Sequence, residues 1–268
     1  MNDFILTGIP RSGTTLACLL LSQLPDCVAL NEPMRTAQYR TYTDALHAVP
    51  KFYQETRHSI LTRGKAMARA VNGQMTDNHF SNETGSRKKL VKKQEIDIDK
   101  ALSPDFRLGV KHNALFTILL EDLMQDYPVY AFIRNPIAVL GSWNSLDLPA
   151  SRGEVRAAQW LYPSLAKDLE SIPDRFDRQL HILDWYFRRY LLLPSANVIK
   201  YEDVVSSDGK ALDIIDQQAT THLRDSLASR NKNKVYDSDL MKRLTEKLLA
   251  QDHACWSFYS REEFSEIA

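Results

Sequence analysis

The chain has 268 residues, 44% of them hydrophobic, enough for one substantial core. Lys plus Arg and Asp plus Glu both number 34, so the zero net charge argues against a bulk electrostatic pull toward nucleic acid or membrane. The three cysteines, Cys18, Cys27 and Cys255, show no metal-ligand spacing, and so small and odd a number fits a reducing compartment.

The first residues, MNDFILTGIPRSG, have neither a basic n-region nor a long apolar h-region, so they do not read as a signal peptide. The longest apolar run, Leu16 to Leu21, is too short to span a bilayer. The expectation is a soluble, cytoplasmic protein.

In chain order, Phe4 to Thr7 reads as a buried strand ending at Gly8, and Thr14 to Leu24 as a helix stopped by Pro25. Val28 to Leu30 reads as a second short strand before Asn31-Glu32-Pro33. Thr41 to Val71 is mostly helical in composition, with breaks expected near Pro50 and Gly64. From Asn72 to Lys100 the pattern fails, and a mobile insertion is expected at about 72–100. Its basic run, Arg87 to Lys93, reads as a solvated segment.

Regularity returns with a strand at Arg107 to Lys111, a helix over Ala114 to Met124 and a strand at Val129 to Ile133. Pro136 suits the first turn of a helix running to about Ser145. Gly153 to Leu193 is helix-rich, Asn197 to Tyr201 reads as a strand, and Asp239 to Gln251 as the last helix. Strands alternating with helices predict an α/β fold with a mostly parallel central sheet flanked by helices on both faces. Residues 1–268 are read as a single domain.

The sharpest local signal is Gly8-Ile9-Pro10-Arg11-Ser12-Gly13-Thr14-Thr15, placed between a strand and a helix. The free N–H groups of a helix N-terminus suit a phosphate there, and the two glycines let backbone curl around it. Arg11 adds a permanent planar charge, and Ser12, Thr14 and Thr15 add hydroxyl donors. The glycine spacing matches a Walker A loop, but Thr14 stands where that loop has lysine, so the segment fits phosphate binding without ordinary NTP hydrolysis.

These residues resemble the PAPS-dependent sulfotransferases, whose 5′-phosphosulfate loop reads P-[KR]-S-G-T-[TS]; here it is Pro10-Arg11-Ser12-Gly13-Thr14-Thr15. A second anchor is Arg134 at a strand end with Ser142 eight positions later, similar to the pair that holds the nucleotide 3′-phosphate in that family. A third is Tyr201-Glu202-Asp203, where the family's tyrosine lies near the adenine. The resemblance covers about residues 3–35 and 107–205 and implies a three-layer P-loop-like fold. It implies PAPS as donor and PAP as product, with no metal required. The acceptor would be a small molecule, carbohydrate or peptide carrying a hydroxyl or amine; no nucleic-acid partner or membrane span is implied, and the oligomeric state is left open.

Two departures stand out. Leu16 replaces the tryptophan that stacks on adenine in cytosolic members, and the C-terminal R-K-G element is missing. The basic cluster Arg230, Lys232 and Lys234 either stands in for it or is a solvated loop, and the loop is the favoured reading.

Sulfuryl transfer needs a base for the acceptor proton. Glu32, 21 residues after Arg11, resembles the base of the protein-tyrosine and Golgi-type enzymes. His112, 22 residues before Arg134, resembles the histidine of the cytosolic enzymes. Pro-Arg-Ser-Gly-Thr-Thr-Leu looks more like the Glu-using branch, which favours Glu32, with Lys111 and Arg11 stabilising the leaving phosphate. The alternatives are a P-loop kinase or NTPase, or a nucleotide-binding protein without catalysis.

Overall fold

The computed structural model describes residues 2–81 and 87–264. The chain runs β1 (Asp3–Gly8), α1 (Thr14–Gln23), β2 (Cys27–Asn31), α2 (Tyr42–Arg63), β3 (Lys65–Ala70), β4 (Lys92–Asp97), β5 (Arg107–Lys111), α3 (Asn113–Ile118) and α4 (Leu120–Asp126). It continues through β6 (Val129–Ile133), α5 (Pro136–Asn144), α6 (Ala158–Leu161), α7 (Pro163–Ser171), α8 (Arg175–Tyr190), β7 (Val198–Lys200), α9 (Tyr201–Ser206), α10 (Ala219–His222) and α11 (Ser238–Leu249).

Five strands form one parallel sheet in the order β2-β5-β1-β6-β7. The residues of these strands are apolar in near-continuous runs because both faces are covered. Ile5, Val28, Leu30, Val110 and Ile133 face a core completed by α2, α3, α5 and α8. Phe4, Leu6, Ala29, Phe132 and Ile199 face a second, smaller core completed by Ala17, Cys18, Leu20 and Leu21 of α1. The result is the expected three-layer α/β arrangement, with period-two alternation sending successive side chains to opposite cores.

Several local expectations are corrected. The stretch 41–71 is not broken at Pro50: α2 runs through it, capped by a Thr41–Asp44 box at one end and Gly64 at φ 64° at the other. Pro50 lacks an N–H, so only one ladder bond, to the carbonyl four residues back, is lost. Residues 65–70 are strand, not helix. Every second residue, Ala66, Ala68 and Ala70, is buried, and β3 pairs antiparallel with β4 over Lys65↔Asp97 to Ala70↔Lys92. The pattern-poor stretch 72–100 therefore contains a strand; its residues 82–86 lie outside those described. Finally, the helix expected over 114–124 is two, α3 and α4, parted at Leu119, and Tyr201 opens α9 rather than ending β7.

Among the described residues, no helix is long and apolar enough to cross a membrane.

Candidate active site

Parallel strands deliver their carboxyl ends to one edge of the sheet, where α/β proteins bind ligands. Arg11 follows β1, Glu32 follows β2, Lys111 ends β5, Arg134 follows β6 and Tyr201 follows β7. All five line one cavity of about 810 Å³, together with Gly13, Thr14 and Thr15. Its walls carry eight Lys or Arg against four Asp or Glu, so a neutral chain has concentrated positive charge in one cleft.

The loop between β1 and α1 is fixed from below. Ile9 N–H and the Ser12 hydroxyl both donate to the Phe132 carbonyl, at 3.1 and 2.7 Å. Trp143 Nε1–H donates to the Pro10 carbonyl at 2.8 Å. Ser12 is fully buried and serves the loop's shape rather than facing the cavity. Gly13 caps α1 at φ 85°, and a Cβ there would lie 2.6 Å from the Tyr201 ring. Tyr201 thus packs under the loop, and its hydroxyl accepts from Arg230 N–H at 3.0 Å. The first N–H groups of α1 are left to the cavity, as at any helix start.

Five non-glycine residues among those described have positive φ. Three are Asp or Asn, which tolerate that region. The other two are Arg11 (φ 78°) and Glu32 (φ 47°), each costing roughly 1–2 kcal/mol. Among the described residues, backbone strain in ill-suited residue types therefore coincides with this cavity.

Arg11 Nε donates to Ser142 Oγ and Nη2 to Asn78 Oδ1, both at 3.1 Å. Burial and the neighbouring Arg87 and Arg134 bring it down to about 10, so it stays charged at neutral pH. Arg134 is buried, lies over the Tyr201 ring at 4.6 Å, and donates to the carbonyls of Arg11 (3.0 Å) and Arg230 and to Asn231 Oδ1 (2.7 Å). Arg134 and Ser142 do converge, but around Arg11: Ser142 is buried and bonded to it. Asn135 begins α5 by accepting from Ile137 and Ala138 N–H, which sets Arg134 at the strand end.

Glu32 divides its carboxylate between two cations. Oε1 accepts from Lys111 Nζ at 2.9 Å, and Oε2 lies 2.6 Å from Arg69 Nε of β3. Burial pushes this carboxyl up, but Lys111 and Arg69 outweigh it and hold it well below the usual carboxylate range. Lys111 is buried and also donates to Asn31 Oδ1 at 3.3 Å. Asn31 Nδ2 in turn donates to His79 Nε2.

His112 is arranged differently. It is buried and its Nε2 accepts from Met34 N–H at 3.0 Å, so that nitrogen has no room for a substrate proton. Burial is the main force that lowers it to about 3. It does not line the cavity, whereas Glu32 and Lys111 do.

Several contributors escaped the sequence reading. Arg69, His79 and Lys89 reach the cavity from the β3–β4 region, so the basic run is not simply solvated. Arg230 does lie in an exposed loop, as expected, but from there it also lines the cavity. Glu202 ties the β6 end to the C-terminal part by accepting from Asn135 N–H (3.0 Å), Asn231 Nδ2 (2.7 Å) and the Tyr259 hydroxyl (3.0 Å). The alternation K-A-M-A-R-A after Gly64 was the one readable signal for Arg69.

No family model matches the sequence and no curated protein is similar to it. Among solved structures it is similar to sulfotransferase STF1 from Mycobacterium tuberculosis H37Rv, at 13% identity and a TM-score of 0.36, over 99% of this chain and 75% of that one. It is also similar to sulfotransferase STF9 from Mycobacterium avium, at 13% identity and a TM-score of 0.35, over 99% of this chain and 74% of that one. At such identity neither likeness extends to individual residues.

Proposed function

We propose that this chain is a sulfotransferase that moves a sulfuryl group from PAPS to a hydroxyl or amine on a small-molecule, carbohydrate or peptide acceptor. The observation that carries the reading is the meeting, in one basic cavity, of a phosphate-type loop with a carboxylate held against a buried lysine.

PAPS, when bound, supplies the activated sulfuryl group. The residues present fit it: Gly13, Thr14 and Thr15 offer backbone N–H and hydroxyl donors, and Arg11 offers a guanidinium. Arg134 and Ser142 are assigned to the 3′-phosphate side, Arg134 reaching a ligand by giving up one of its carbonyl partners and Ser142 acting through its bond to Arg11. Tyr201 is assigned to the nucleoside end. Glu32 takes the acceptor proton, and Lys111 stabilises charge on the leaving side.

The proton step asks something of Glu32, whose carboxylate is a weak base while two cations hold it. Anionic groups arriving in the cavity draw Lys111 and Arg69 toward themselves and return basicity to Glu32. The base would thus be strengthened only when the donor site is filled.

The test is thermal unfolding with PAP against ATP plus Mg²⁺, followed by transfer from radiolabelled PAPS to a panel of acceptors. Ligand at about 100 times its dissociation constant stabilises a fold by roughly 2.7 kcal/mol. A clear shift with PAP and little with ATP is expected. A shift with ATP plus Mg²⁺ alone overturns the reading in favour of a kinase-type enzyme.

A further inference from the structure

Four consecutive residues, Asp77 to Phe80, reach across the cavity and hold the groups that an anionic ligand needs. Asp77 Oδ2 pairs with Arg230 Nη2 at 2.8 Å. Asn78 Oδ1 accepts from Arg11 Nη2 at 3.1 Å. His79 accepts from Asn31, and the Phe80 ring lies 5.3 Å from the Arg11 guanidinium. These partners come from the phosphate loop, the end of β2 and the segment that supports Arg134.

The chemistry of the first two contacts is that of a phosphate. A carboxylate oxygen on Arg230 and an amide oxygen on Arg11 are oxygen acceptors set against guanidinium donors, as phosphate oxygens would be. Each guanidinium has five N–H donors in a fixed fork, and the Nη2 donors engaged by this segment must be released before they can meet ligand oxygens, so oxygen atoms of the ligand and of this segment compete for them. Asp77 and Arg230 are each nearly half exposed, so their bond is of the readily exchanged kind.

We infer that the Asp77–Asn78 segment is an internal competitor for the donor's phosphates, occupying Arg230 and Arg11 in the free protein and displaced when donor binds. This rests on the reading that an anionic nucleotide enters the cavity. Its consequence is that donor affinity is set partly by residues that need not touch the donor, and that the segment loosens over the cavity as the donor seats.

The test is a double-mutant cycle by isothermal titration with PAP on the wild type, Asp77→Asn, Arg230→Gln and the double variant. Asp77→Asn is expected to tighten PAP by up to about fivefold, the range of an exposed ion pair. Arg230→Gln is expected to weaken PAP, and Asp77→Asn to bring no gain in that background. An equal gain in both backgrounds means Asp77 acts through overall charge, and overturns the competition. So does an Arg230→Gln variant that binds PAP as well as the wild type. Asn78→Asp, which strengthens the hold on Arg11, is expected to weaken PAP, and an unchanged or tighter affinity counts against the inference.

Hydrogen exchange gives an independent readout: amides of residues 77–80 are expected to exchange faster with PAP, and slower exchange overturns displacement. A parallel titration with inorganic pyrophosphate separates the two levels. If pyrophosphate binds more tightly to Asp77→Asn while PAP binds neither form, the nucleotide reading fails and the competition stands. If PAP binds both forms equally, the competition fails and the nucleotide reading stands. If neither ligand binds any form, both fail.

Discussion

Glu32 is bound to Lys111 twice: its backbone N–H donates to the Lys111 carbonyl at 2.8 Å, and its carboxylate accepts from Lys111 Nζ at 2.9 Å. The pairing follows from sheet register, since Asn31 and Lys111 are partners across β2 and β5. One residue beyond its strand, Glu32 turns at φ 47° and folds its side chain back onto the residue its backbone already holds. The candidate base is therefore located by main-chain geometry, and its charge is balanced by the same neighbour.

Glu32→Gln removes the proton acceptor and leaves a near-isosteric side chain. Turnover is expected to fall by about 10²–10⁴, the span of general-base contributions, with PAP affinity little changed in calorimetry. The substitution also leaves buried Lys111 without its counter-charge. Glu32 is 23% exposed at its side chain, so the expected loss of stability in urea at neutral pH is about 1–3 kcal/mol, below that of a fully buried pair.

Arg69→Gln takes away a cation 2.6 Å from Glu32 Oε2. The Glu32 carboxyl then rises toward its ordinary range, so the acid limb of kcat/KM is expected to move to higher pH. The pH–rate profile checks this. The sign for stability runs with it. A carboxyl depressed in the folded state stabilises above its unfolded pKa, and that contribution is lost as pH falls through the folded value. Arg69→Gln should therefore make unfolding at low pH less steep.

His112→Gln keeps an acceptor for Met34 N–H and is expected to retain most activity, whereas His112→Ala strands that buried donor and costs about 1–3 kcal/mol in denaturant unfolding. The histidine is lowered from 6.5 to about 3 by burial. It is neutral in the folded state while the unfolded chain protonates, so stability present above pH 6.5 is lost as pH falls from 6.5 toward 3. His112→Gln should remove part of that loss. A collapse of turnover in His112→Gln with stability intact would move the base from Glu32 to His112.

Gly13→Ala forces a Cβ to within 2.6 Å of the Tyr201 ring at a φ of 85°. The left-handed conformation alone costs an alanine about 1–2 kcal/mol. Loss of both stability and PAP affinity is expected, by calorimetry and thermal unfolding.

The parallel sheet was legible because its strands are short apolar runs punctuated by Gly, Asn-Glu-Pro or Asn-Pro. Arg11, Glu32, Lys111 and Arg134 were legible because each is the polar residue that breaks such a run. The β3–β4 hairpin was not. Alanine at positions 66, 68 and 70 favours helix by propensity, and only burial against α2 and the sheet makes it strand. Arg69 and Asp77 to Phe80 were hidden with it, because their roles depend on partners far along the chain. His112 resembled a base by spacing, yet spacing carries no information about which nitrogen is already occupied.

The cavity's walls come from residues scattered between Pro10 and Arg230. Arg134 bonds to residues 123 positions before it and 96 after it. No fragment ending before the last of these partners holds the complete arrangement around Arg134, and loop-closure entropy must be overcome several times before it forms. Recovery of PAP binding during refolding should thus trail the appearance of secondary structure and report the last event in assembly. A segment that seals part of the cleft with its own oxygens would meanwhile keep its arginines paired while the ligand is absent.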